Sequence, residues 1–149
     1  MIKTFSKKDI NKSLRRVMSL NMQISAKTEE LLRWRELSEK TSGAAYSHAK
    51  SSVRRGNRIE DCIIKIDAIE RAIKADLDKL MLLEGRISET IERMNDPVCE
   101  SLLRLRYLNA MSWERVAECM DYSYVHIVHR LHPKALEKFD GLYSEEGGI

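Results

Sequence analysis

Little in this chain interrupts a helix. It holds two prolines and six glycines in 149 residues, and only 6 % of its side chains are aromatic. Scarce turn formers and scarce β-favouring aromatics argue against a sheet and leave long amphipathic helices as the expected architecture. No apolar run approaches the roughly 18 residues needed to cross a bilayer, so no membrane association is expected. The opening stretch "MIKTFSKKDINKSL" has no apolar core of the kind a secretory leader needs, which points to a cytoplasmic protein. Cys62, Cys99 and Cys119 are odd in number and form no CxxC pair, so they read as reduced, mostly buried side chains. There is no glycine-rich phosphate loop, no HExxH or EF-hand pattern, and no nucleophile set in a known turn motif. An enzyme, a cofactor and a bound metal are therefore not expected.

What is present is charge, unevenly spread. Residues 1–58 carry 14 Lys and Arg against 5 Asp and Glu, a balance of +9, whereas residues 59–96 carry 6 against 10 and residues 97–149 carry 6 against 8. The basic first third either pairs with the acidic middle, touches nucleic acid, or does both.

Apolar residues recur every seven positions at Ile10, Val17, Ile24 and Leu31, and more strongly at Ile59, Ile66, Ile73, Leu80, Ile87 and Met94. Such repeats keep one seam facing a partner helix. The period predicts helices over about 7–40 and 59–95, joined by a basic, Ser- and Gly-containing linker at 41–58. The simplest assembly of residues 1–95 is an antiparallel hairpin or coiled coil, basic helix against acidic helix. Heptads do not say whose helix they meet, so a homodimer through the same seams stays open.

Asp96-Pro97 marks the next boundary, with Asp as helix cap and Pro in the first turn. Val98, Leu102, Leu105 and Leu108 then share a face. Ser112 caps a second short helix with Trp113, Val116, Ala117 and Met120 at helical spacing. The turn "MDYS" follows, Asp121 being a residue that tolerates left-handed backbone, and Ser123 caps a third helix. Residues 96–140 thus read as a three-helix unit containing a helix-turn-helix, with 141–149 as a tail.

The segment "LRLRYLNAMSWERVAECMDYSYVHIVHRLHPKALEKF" resembles the helix-turn-helix of sigma factor region 4. Within that class it is most similar to small regulators of phages and prophages of Gram-positive bacteria, the ArpU-like group. The match rests on Leu103, Leu105, Arg106, Tyr107, Ser112, Trp113, Glu114, Ala117, Met120, Tyr122, Ser123, His132, Ala135 and Leu136. The resemblance implies double-stranded DNA binding and transcription control of phage genes, often late ones, inside a bacterial host cell. It departs from the pattern in two places. Pro133 replaces a glycine or helix former, which predicts a kink or restart of the third helix. The interval from Ser123 to Ala135 is also one residue longer than in sigma factors.

On a helical wheel Ile127, Leu131 and Ala135 face inward with Tyr124 and Val128 beside them, while Val125, His126 and His129 point outward near the end that enters the major groove in this motif. Histidine can donate to guanine, and valine can pack on a thymine methyl. These three are the base-contact candidates. Tighter binding at pH 6 than at pH 8 is expected if the histidines take part. The backbone-contact candidates are Ser112, Ser123, Tyr124, Arg130, Lys134, Arg104, Arg106 and Arg115, with Lys50, Arg54, Arg55 and Arg58 from the basic linker. His126, His129 and His132 are three residues apart and could instead share a metal, or be ordinary exposed side chains; Arg106 could simply pair with a carboxylate; Trp113 favours the core. Two further readings of the whole chain stay open: an adaptor for host RNA polymerase without DNA specificity of its own, and a packaging factor of the small terminase type.

Overall fold

The computed structural model describes residues 10–43 and 52–143. Among them every regular element is a helix, joined by short turns, with no strand. The elements are α1 (Lys12–Gly43), α2 (Ser52–Glu92), α3 (Pro97–Leu103), α4 (Trp113–Met120), α5 (Tyr124–His126) and α6 (His132–Leu142). Two π-helical turns, Arg104–Leu108 and Ile127–Leu131, extend α3 and bridge α5 to α6. The architecture is the expected one, a long antiparallel helical hairpin followed by short C-terminal helices.

Asn11 caps α1: its Oδ1 accepts from the Ser13 amide at 2.8 Å and its carbonyl from the Arg15 amide at 3.0 Å. The helix therefore begins later than 7, and residues 7–9 lie outside the described part. The more informative difference is at α2, which begins at Ser52, inside the stretch expected to be linker. Val53 to Arg58 hold no proline, and extending a helix that is already nucleated adds one hydrogen bond for each residue fixed. Gly56 and Asn57 cost that extension about 1 kcal/mol or less each.

The chain divides into two units. One is residues 22–79, the outer part of the hairpin; the other combines residues 1–21 with 80–149. In the hairpin unit the expected charge pairing is found: the Lys27 ammonium meets the buried carboxylate of Asp76, and Arg35 pairs with Glu70 at 2.8 Å. Partners whose numbers fall on one helix as they rise on the other define the antiparallel register. Leu31, Cys62 and Ile69 are the buried apolar residues here, and Ile63, Ile64 and Leu77 are exposed.

The second unit has the dense core. Leu14 and Val17 of α1 and Ile87 and Ile91 of α2 are fully buried. So are Leu102, Leu103 and Tyr107 of α3 and its π turn, Val116 of α4, and Ile127, Ala135, Leu136 and Phe139 beyond it. Asn11 donates to Asp140 at 2.9 Å, Arg93 to the Leu142 carbonyl at 3.1 Å, and Arg104 to Ser88 Oγ at 3.0 Å, tying the helix ends of this unit together. Asp96 caps α3 through the Cys99 amide at 3.3 Å and also receives Lys138 at 2.6 Å and Lys134 at 3.7 Å.

Two corrections concern register. Residues 98, 102, 105 and 108 do not form the buried face of α3. Cys99, Leu102, Leu103 and Tyr107 do, a stripe at the ordinary helical spacing of three and four, with Val98, Leu105 and Leu108 half-buried on its flanks. The third helix keeps part of the expected face. Ile127 and Ala135 are buried as expected and Leu131 is half-buried, but Tyr124 is exposed and His132, Leu136 and Phe139 join the core. The amide of His132 reaches back to the carbonyl of Ile127, and Pro133 then sits in the first turn of α6, where no amide is required. A π turn holds one extra residue without ending a helix, so the third helix passes Pro133 without breaking. α6 runs to Leu142, two residues past the expected boundary at 140, and residues 144–149 of the expected tail lie outside the described part.

Candidate nucleic-acid interface

The centre of the motif is α4, the turn and α5. Ser112 accepts from the Arg115 amide at 3.3 Å and Ser123 from the His126 amide at 3.2 Å, so both serines serve as helix caps. Asp121 ends α4 in the left-handed region, with φ 57° and ψ 42°, and the Tyr122 amide returns to the Ala117 carbonyl at 3.2 Å. That turn aims the next helix away from α4, and buried Ala117 leaves room beneath it.

The outward surface carries Val125, 63 % exposed, with Tyr124 at 44 % and Tyr122 at 42 %. His129 and Arg130 are also exposed. His126 is half-buried, its ring 5.3 Å from that of Tyr122. The three base-contact candidates thus share the outer side of the helix, and Tyr122 joins them from the turn. Sequence reasoning did not single out Tyr122, which counted there only as a match to the motif pattern. Its signal was position: an aromatic side chain immediately before the cap of an outward-facing helix.

The histidines separate. His132 is 5 % exposed, inside the core, where Tyr107 Oη and its Nε2 share a hydrogen bond of 2.6 Å. Trp113 packs edge-on against it at 4.4 Å. Burial, helped by the neighbouring Arg106 charge, pulls the imidazole pKa down to about 4, and burial pushes the Tyr107 phenol up. Both groups are neutral at ordinary pH. With its Nε2 engaged by Tyr107, His132 does not face outward with His126 and His129, and among the described residues no cluster of three His, Cys, Asp or Glu is arranged to hold a metal ion.

The cationic candidates divide as well. Arg106 donates to the Met111 carbonyl at 2.8 Å and stacks over Trp113 at 4.5 Å, while its Nε is buried without a partner. That geometry holds the loop before α4 and turns the guanidinium inward. Arg104 reaches Ser88 and lies 3.8 Å from Glu92. Lys134 leans on Asp96, and Arg115 lies 3.5 Å from Glu118 on the surface. Arg130 makes no ion pair among the described residues. Arg58 is exposed in the hairpin unit; Arg54 and Arg55 lie on the helical backbone of α2 with side chains outside the described part, as is Lys50 altogether.

Beside Tyr122, a groove of about 640 Å³ is lined by Val98, Leu105, Met120 and Tyr122, with Arg104 and Asn109 at its polar side. Cys119 borders the same groove and is exposed, unlike buried Cys62 and Cys99, whose thiol is pushed up to about 11 by burial and by Asp96. No helix among the described residues is long and apolar enough to cross a membrane. No family model, curated protein or solved structure matches the chain.

Proposed function

We propose that the protein is a sequence-specific, double-stranded DNA-binding regulator of transcription of the phage type, reading the major groove through α5 and the π turn that follows it. The observation that carries this reading is the outward presentation of Val125 and His129, with His126 half-buried between them, on a helix set by a left-handed turn, while the opposite side of that helix is buried through Ile127. Base readout needs side chains held at the groove by a rigid scaffold, and this arrangement supplies them. Arg130 and the paired but exposed Arg115 and Lys134 are the phosphate contacts of this unit. With so few cations, affinity should depend weakly on salt, since the slope counts neutralised phosphates.

Binding of the purified chain to fragments of the genome that encodes it, titrated with salt, tests the reading. Selective retention of a promoter-proximal fragment with a shallow slope is the expected result. Equal, steeply salt-dependent retention of all fragments would overturn it. The groove lined by Val98, Leu105, Met120 and Tyr122 favours a second reading, an adaptor that docks on RNA polymerase. That reading expects no selected fragment and a loss of polymerase binding on Leu105→Glu.

A further inference from the structure

Resting on the DNA-binding reading, we infer that Tyr122 and Val125 together form an apolar reader of thymine methyl groups. Residues Asp121 to Val128 contain no Arg, Lys, Asn or Gln. The bidentate contacts that usually identify guanine and adenine are therefore absent from the leading turn of this helix. Its exposed surface offers an isopropyl group and a phenol ring instead, at 63 % and 42 % exposure. The thymine C5-methyl is the one apolar feature that the base pairs present in the major groove.

Both readers are held in place. The Tyr122 amide is tied to the Ala117 carbonyl at 3.2 Å, and its ring leans on His126 with the planes 37° apart. The His126 amide is in turn fixed by Ser123 Oγ at 3.2 Å. Fully buried Ile127 sets the rotation of the helix that carries Val125. His126 is a positioning residue in this scheme: its ring backs Tyr122, and its half-buried state limits its reach. Two fixed apolar side chains on an outward face contribute little to the fold and suit a partner with an apolar spot.

The test begins with selection of binding sites from a random duplex library by the full chain. Each thymine of the enriched site is then replaced by uracil, which removes the methyl group alone. Covering one methyl corresponds to about a fourfold change in affinity. At one or more thymines, uracil should therefore weaken binding by about that factor. Val125→Ala and Tyr122→Ala should bind the thymine and uracil duplexes equally, whereas Tyr122→Phe should keep the discrimination. Both positions are exposed, so circular dichroism should show these variants folded. A selected site that binds equally well with uracil throughout would overturn thymine reading and leave DNA binding standing. Failure to enrich any site would overturn the DNA reading and this inference together.

Discussion

The hairpin unit and the helix-turn-helix unit bury their apolar residues very differently. In residues 22–79 the most buried side chains, Cys62 and Asp76, are each 5 % exposed, and one of them is a carboxylate. In the other unit Leu102, Tyr107, Val116, Ile127, Leu136 and Phe139 are at 0 %. Yet half of the strongest apolar repeat, Ile59, Ile66 and Ile73, lies in the hairpin unit, where all three are only half-buried. Two helices packed side by side cover one stripe of each other and leave the flanks wet, so Ile63 stays 58 % exposed. Short helices meeting from several directions enclose a side chain completely. Periodicity therefore reports the shape of an element; depth of burial follows the number of elements around it.

The largest test of this contrast removes a ring from the enclosed core. Phe139→Ala should cost about 3–5 kcal/mol, measured by chemical denaturation, while Ile63→Ala in the hairpin should stay within about 0.5 kcal/mol. Comparable costs would dissolve the distinction.

The next test uses pH. His132 titrates at about 4 when folded and near 6.5 when unfolded, so the unfolded chain binds the extra proton between those values. Stability that is fully present above pH 6.5 should fall as the pH drops towards 4, by an amount on the order of 3 kcal/mol. Amide exchange in α3, α4 and α6 should report it, and the slope should disappear in His132→Gln. Asp96, held well below the usual carboxylate range mainly by its hydrogen bond from Lys138, adds a loss that starts only below about pH 4.

A smaller effect is expected from the hairpin's buried charge. Asp76→Ala leaves Lys27 without its partner and should cost about 1–3 kcal/mol, whereas the pair Lys27→Met with Asp76→Leu should be neutral or stabilising. A double variant as weak as the single one would mean that the charge pair itself holds the register. The smallest change is at a cap: Ser123→Ala should cost about 1 kcal/mol and fray α5 without touching the core.

Much of the fold was legible because it is written in local chemistry. Asp96, Ser112 and Ser123 announce helix starts through their side-chain oxygens, and Asp121 tolerates the left-handed turn. Ala110 adopts a left-handed backbone too, at φ 53°, but alanine carries no mark of it. The outward position of Val125 and His129 followed from spacing alone. The inward turn of Arg106 and the burial of His132 did not, because each depends on Trp113 arriving from another helix. The wheel also missed Cys99 and His132 in the core and Tyr124 at the surface, because a short helix offers too few apolar positions to fix its rotation.

By itself the sequence determined that the chain is helical, where its C-terminal helices begin, and that a basic stretch is followed by an acidic one. These features depend on neighbours a few residues away or on summed charge. Only the tertiary structure decided that those two stretches pair within the chain, which histidine belongs to the core, which arginines stay free, and that Tyr122 leans on His126. Those outcomes depend on what surrounds a side chain from distant parts of the chain.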